Sequence, residues 1–105
     1  MGVFSHIKNK KEGNVKMNEL TIENLEICFY EASKTDTKYV GVKIQMQGFE
    51  KPEIIINENA NFDSKFAYYK KAYNQDLTLK AFNGIKIIGF THRNSFEEIK
   101  KDLLG

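Results

Sequence analysis

The sequence predicts one domain of the α+β class, with a single antiparallel sheet and two helices in the order β-β-β-α-β-β-α. Side chains of residues 39–47 alternate between apolar and polar, as they do in a half-buried antiparallel strand. Aromatic side chains of residues 62–73 recur at helical spacing instead. The pair Asn83-Gly84 separates two further apolar stretches, and such a pair typically closes a two-residue β-hairpin. These three patterns together predict the class.

Length and composition fit one hydrophobic core. The chain has 105 residues, and its eight Phe and five Tyr supply large apolar area. Residues 18–105 form the predicted domain. Residues 1–17 contain four Lys and no sustained periodicity, which predicts a flexible basic tail. Docking of their apolar side chains on the domain, or an alternative start at Met17, fits the sequence as well.

Cysteine usage and hydropathy indicate the compartment. Cys28 is the only cysteine, so no intramolecular disulfide can form, and no signal peptide is recognisable. No apolar run approaches the roughly 20 residues that a membrane span needs. The net charge of +2 is too small to indicate nucleic acid or an acidic membrane by itself. We therefore expect a cytoplasmic protein without a membrane partner.

Residues 18–33 fit two kinds of element. Apolar side chains alternate along residues 20–29 with one change of phase, which indicates a strand that contains a bulge. A helix fits as well, because Ile22, Leu25 and Phe29 lie at helical spacing. The β-branched and aromatic residues of this segment favour the strand, which would then pair with the next one.

The remaining strands are short. Residues 53–57 contain a continuous apolar run at positions 54–56, which predicts a strand that is covered on both faces. Downstream, a type I′ turn at Asn83-Gly84 would place Phe82 opposite Ile85 in a regular hairpin. This register puts apolar side chains on both faces of the hairpin, and the second apolar face predicts that another element covers it.

Two helices complete the predicted domain. The first covers residues 62–73, and Asn61 or Asp63 is suited to cap its N-terminus. The second lies within SFEEIKKDLLG, where Ser95 and Glu98 have the spacing of a capping box. We expect this last helix to cover the second apolar face of the hairpin.

No residue pattern indicates an enzyme, a metal site or a cofactor. The NENANFD run resembles a calcium loop superficially, but Phe62 occupies the position where Gly is needed, so loop and helix-cap roles are predicted. Cys28 and His92 can form a nucleophile–base pair only if the fold brings them together. A cysteine inside an apolar run is typically an inert core residue. The sequence thus predicts a non-enzymatic protein with no cofactor and no metal.

The candidate binding residues are aromatic and basic. Tyr68, Lys70 and Lys71 lie close together in the first helix, and His92 and Arg93 precede the last helix. Aromatic stacking combined with Lys or Arg along the backbone is how proteins hold single-stranded nucleic acid. The predicted element order also fits an OB-fold. Against this interpretation, the same aromatic spacing is typical of a helix face that packs on the core.

The segment EIIINENANFDSKFAYYKKAYNQDLTLKAFNGIKIIGF is similar to small uncharacterised proteins of phages and mobile elements in AT-rich Gram-positive bacteria. It covers about 40 residues and contains no motif with assigned chemistry. The resemblance implies a phage-related, non-enzymatic context. We therefore expect a small binding or accessory protein that acts through a protein–protein surface, with another protein or a second copy as its partner. The alternative is an OB-like protein that binds single-stranded nucleic acid.

Overall fold

The computed structural model describes residues 19–105, so the predicted tail at residues 1–17 lies outside the described residues. The elements, in chain order, are α1 (Ile22–Lys34), β1 (Tyr39–Met46), β2 (Glu53–Glu58), a single 3-10 turn (Asn59–Asn61), α2 (Phe62–Ala72), β3 (Ile85–Arg93) and α3 (Phe96–Leu104).

The three strands form one antiparallel sheet in the order β2-β1-β3. The predicted α+β class with a single antiparallel sheet is confirmed. The predicted strand at residues 39–47 and the two predicted helices are present as well. Because β1 lies between its two partners, both faces of the sheet are centred on this strand.

Helices cover both faces of the sheet. Val40 and Val42 of β1 are fully buried in the main core, together with side chains of α1 and α2. Gly41 lies between these two valines and faces the other way, against Ile99 of α3. The described chain thus has three layers, with α1 and α2 on one face and α3 on the other.

Aromatic rings join α1 to α2 at the centre of the main core. Phe29 of α1 is fully buried, and its ring centroid lies 5.5 Å from that of Phe62, 5.6 Å from Phe66 and 6.0 Å from Tyr69. The contact with Phe62 is edge-on, which aromatic pairs favour over face-to-face stacking. One side chain of α1 therefore holds three side chains of α2.

A buried polar pair ties α2 to the sheet. Asn57 of β2 donates from Nδ2 to the Val40 carbonyl (3.1 Å), and its Oδ1 accepts from the Tyr69 hydroxyl (3.3 Å). Burial raises the pKa of Tyr69 to about 12, so its hydroxyl stays neutral and donates. Asn57 is thus a buried structural residue rather than part of an open loop, while Asn61 precedes α2 without a side-chain capping bond.

The predicted strand within residues 18–33 is wrong, because this segment forms the helix α1. Thr21 caps it by accepting from the Asn24 N–H at 3.1 Å. All residues from 24 to 29 are buried, including the polar Asn24 and Glu26, so the buried surface of α1 is not limited to one apolar stripe. A helix that is enclosed on most sides loses the 3.6-residue period that would distinguish it from a strand.

The predicted two-residue hairpin is also wrong, although Asn83 and Gly84 do form a turn. Neither residue has the positive φ that a type I′ turn requires. The segment before the turn makes only isolated bridges, among them Thr78 with Lys86, instead of a regular strand. The positive φ of Leu77 (70°) interrupts the extended backbone just before these bridges.

A bulge changes which side chains of β3 enter the core. Lys43 pairs with Gly89 whereas Ile44 pairs with Ile87, so β3 contains one additional residue at this point. Ile87 therefore lies in the main core and is fully buried, whereas the predicted hairpin register places it with Phe82 and Ile85 on the second apolar face. The strand β2 differs as well, because it lies at a sheet edge and leaves Ile55 39% exposed rather than covered.

The helix α3 covers the second face of the sheet, but not the side chains predicted for that face, because Ile85 and Ile87 pack in the main core instead. Its N-terminus is capped by Ser95, whose Oγ accepts from the Glu98 N–H at 3.2 Å, so the predicted cap is confirmed. Its C-terminus is held by Lys43, whose Nζ donates to the Leu103 carbonyl at 2.6 Å. A cation at a helix C-terminus also complements the helix dipole.

The close packing of α3 on β1 depends on the absence of a side chain at Gly41. A Cβ there would overlap the side chain of Ile99, which is fully buried. We expect Gly41→Ala to lower the free energy of unfolding by about 1–3 kcal/mol, the usual cost of overpacking. Urea unfolding followed by circular dichroism measures this change.

Gly89→Ala is the matched control, because a Cβ at Gly89 would meet Leu103 at an ordinary distance of 3.4 Å. This variant should unfold within about 0.5 kcal/mol of the wild type, or be slightly more stable, since alanine restricts the unfolded chain. Equal stabilities for the two variants would contradict the packing described for α3.

Candidate functional site

The three tyrosines of the predicted aromatic stripe have different environments. Tyr69 and Tyr73 are buried in the core, whereas Tyr68 is 54% exposed. The Tyr68 ring makes edge-on contacts with the rings of Tyr69 and Tyr73, at centroid distances of 5.4 and 6.5 Å. Most of the stripe therefore stabilises the fold, and one ring remains available to a partner.

The lysines predicted to act with Tyr68 are separated by the helix. Lys71 follows Tyr68 by three residues, so the two side chains lie on the same side of α2. Lys70 follows Tyr68 by two residues and therefore lies on the opposite flank, seven residues after Asp63. Lys65 precedes Tyr68 by three residues and therefore lies on the same side of α2 as Tyr68 and Lys71. It was not among the predicted site residues, which are closer neighbours in the sequence.

The other predicted site residues, His92 and Arg93, make contacts within the fold. The His92 ring has Nδ1 at 3.3 Å from the Thr37 hydroxyl and Nε2 at 3.7 Å from a Glu31 carboxylate oxygen. Arg93 donates from Nε to Asp102 of α3 at 2.6 Å. Both side chains thus join β3 to neighbouring helices or loops, which accounts for them without a ligand.

Cys28 and His92 do line one groove, of about 260 Å³, between α1 and the end of β3. Burial raises the pKa of the Cys28 thiol to about 12, and the nearby Glu31 carboxylate acts in the same direction. The thiolate is the reactive form of cysteine, so this environment suppresses nucleophilic chemistry. Among residues 19–105, no three His, Cys, Asp or Glu side chains converge as metal ligands would.

Two exposed phenylalanines at one end of the sheet were not singled out from the sequence. Phe49 lies in the turn between β1 and β2 and is 62% exposed, and Phe82 precedes β3 and is 51% exposed. The two turns are joined, because the Gln47 N–H donates to the Gly84 carbonyl at 2.7 Å. We call Phe49 and Phe82 together the turn-end aromatic surface.

The backbone that carries this surface is well ordered by hydrogen bonds. The carbonyl of Phe49 accepts from Gln45 Nε2 at 2.8 Å, and the Phe49 N–H donates to the Met46 carbonyl at 3.1 Å. The carbonyl of Phe82 accepts from the Ile85 N–H at 3.2 Å. The signal that sequence reasoning overlooked is a large apolar residue placed inside a turn, where Gly, Pro and polar residues are usual.

Comparisons with known proteins do not identify a family. The chain matches no protein-family model, and no curated protein or solved structure is significantly similar to it. Function must therefore be inferred from the geometry described above.

The described helices also bear on the membrane prediction. None of those between residues 19 and 105 has the length and apolar character that crossing a bilayer requires.

Proposed function

We propose that this chain is a small non-enzymatic binding protein, and that it contacts a protein partner through the turn-end aromatic surface. The observation that carries the proposal is the exposure of both Phe49 and Phe82 on two turns that are hydrogen-bonded to each other. Exposed apolar patches on a protein surface typically mark a contact with another protein, and two large rings on adjoining turns are the start of such a patch.

Energetics favour these two residues as anchors. Burying a complete apolar side chain contributes about 1.5–3 kcal/mol, so covering the exposed half of each ring contributes on the order of 1 kcal/mol. Aromatic residues also dominate the binding energy of many protein interfaces. Because the backbone of both turns is hydrogen-bonded already, binding orders little additional structure. The expected partner presents an apolar groove to this end of the sheet.

The environment of Cys28 supports a binding role over a thiol-dependent enzyme, since its raised pKa leaves almost no thiolate at neutral pH. The OB-fold alternative is not supported, because the sheet of the described chain has three strands and does not resemble a five-stranded barrel. The phage-related context and the cytoplasmic location remain predictions from the sequence.

The test compares capture of proteins from lysate by the wild type and by the double variant Phe49→Ala/Phe82→Ala. We expect at least one protein to be enriched by the wild type and reduced tenfold or more by the double variant. Quantitative mass spectrometry measures the enrichment, and light scattering after size exclusion shows whether the partner is a second copy.

Phe96→Ala is the matched control. Phe96 is also 51% exposed, but it packs against Tyr39 at the start of β1 (ring centroids 4.8 Å apart), at the opposite end of the sheet. This variant should retain the captured partner. A strict monomer that captures nothing, or a partner lost equally in all variants, would contradict the proposed function.

A further inference from the structure

A second surface lies along α2 and uses none of the residues of the turn-end aromatic surface. Lys65, Tyr68 and Lys71 are spaced three residues apart, so they form one row along an exposed side of the helix. Each residue of an α-helix adds 1.5 Å, so the two lysines are separated by about 9 Å along the axis, with Tyr68 between them. We call these three residues the Lys–Tyr–Lys row.

A fourth residue extends the positive charge beyond the helix. The N–H of Lys80 donates to the Ala72 carbonyl at 2.8 Å. Ala72 follows Tyr68 by four residues and therefore lies on the same side of α2. Lys80 is exposed, so its ammonium group adds to the charge at the C-terminal end of the row.

The neighbouring acids do not cancel this charge. Asp63 lies on the opposite flank of α2, together with Lys70. Asp76, in the following loop, accepts from the N–H and hydroxyl of Thr78 at 3.1 and 2.6 Å, and these bonds hold the pKa of its carboxyl below the usual value, so it is ionised. The Lys86 ammonium acts on this carboxylate in the same direction, and the three lysines at positions 65, 71 and 80 outnumber its single negative charge. This part of the surface is therefore more basic than the net charge of +2 for the whole chain suggests.

We infer that the Lys–Tyr–Lys row, extended by Lys80, binds a short stretch of single-stranded nucleic acid. Tyr68 supplies an exposed ring that a base can stack on, and Tyr69 and Tyr73 hold this ring from behind. Lysines on either side of the ring neutralise phosphates on either side of the stacked base. An acidic peptide would use the charge but would gain little from the exposed ring.

Fluorescence anisotropy with a fluorescein-labelled 12-nucleotide strand, as DNA and as RNA, tests this inference at low and moderate salt. We expect binding that weakens with salt, with a slope of log K against log salt near −2, because single strands lose about 0.7 per neutralised phosphate. Tyr68→Ala should weaken binding roughly tenfold, and Tyr68→Phe should preserve it because the ring is kept.

Charge variants provide the matched comparison. Lys65→Gln combined with Lys71→Gln should reduce the salt slope by about 1.4, whereas Lys70→Gln, on the opposite flank, should change it little. Circular dichroism confirms that each variant is folded, which is expected for exposed positions.

Three outcomes would overturn the inference. These are an absence of binding to either strand at low salt, an equal effect of Lys70→Gln, and tighter binding of a labelled poly-glutamate peptide that is insensitive to Tyr68→Ala. A preference for DNA over RNA, or the reverse, identifies the source of the strand and supports the inference. Because Phe49 and Phe82 are unchanged in these variants, the outcome is independent of protein capture.

Discussion

Phe29→Ala should lower the free energy of unfolding by about 3–5 kcal/mol, the range found when a buried phenylalanine is replaced by alanine. Phe29 is fully buried and contacts three aromatic residues of α2, so its removal leaves a cavity between the two helices of the main core. Small domains are stable by only about 5–15 kcal/mol, so this loss is large. Urea unfolding followed by circular dichroism measures the change.

The same substitution at an exposed position provides the control. Phe49→Ala removes a ring that is mostly in solvent and should alter the free energy of unfolding by no more than about 0.5 kcal/mol. If Phe29→Ala were as stable as Phe49→Ala, α1 could not occupy the position described, and a strand over this segment would be favoured instead.

At position 77 we expect the usual stability order, alanine variant above glycine variant, to be reversed or lost. Its side chain is fully buried, so Leu77→Ala should cost about 2–5 kcal/mol. Its φ of 70° lies in the left-handed region, which costs a residue with a Cβ about 1–2 kcal/mol. Glycine has no such cost. We therefore expect Leu77→Gly to be at least as stable as Leu77→Ala, as measured by urea unfolding.

Leu25 gives the comparison at an ordinary backbone conformation. It is fully buried within α1, where glycine is less stable than alanine by about 1 kcal/mol. Leu25→Gly should accordingly be less stable than Leu25→Ala. If the Leu77 pair showed this same order with the same difference, the backbone of the segment before Asn83-Gly84 would not have the conformation described here.

Leu25 and Phe29 also show why the helix α1 was not predicted from the sequence. The spacing of Leu25 and Phe29 fits a helix, but the β-branched and aromatic residues of the segment favoured the strand. Enclosure of α1 on most sides is a tertiary property that no local pattern records. By contrast, β1 has one face on the main core throughout, so its alternation predicted the strand correctly.

The hairpin prediction was wrong for a different physical reason. The turn at Asn83-Gly84 was located correctly, but a turn determines the register only if extended strands flank it. On one side the chain bends at residues 80 and 81, where the Phe82 N–H donates to the Leu79 carbonyl at 3.3 Å. Leu77 before this bend has a left-handed φ, a conformation for which leucine gives no local signal. The bulge opposite Lys43 then moved Ile87 into the core. Both features depend on contacts made outside the hairpin.

The candidate surfaces show the same limit. Neighbours in sequence suggested that Tyr68, Lys70 and Lys71 act together, whereas the helical twist places Lys70 on the other flank. The turn-end aromatic surface joins two turns more than 30 residues apart in the chain, so only the fold brings Phe49 and Phe82 to one end of the sheet.

Site-specific photocross-linking tests the central claim most directly. A photoreactive phenylalanine analogue is placed at position 49, 82 or 96, and cross-linked products are identified after irradiation in lysate. We predict that positions 49 and 82 cross-link to the same protein, or to a second copy of the chain, and that position 96 does not. Cross-linking from position 96 alone, or to unrelated proteins from positions 49 and 82, would contradict the proposal that these two phenylalanines form one binding surface.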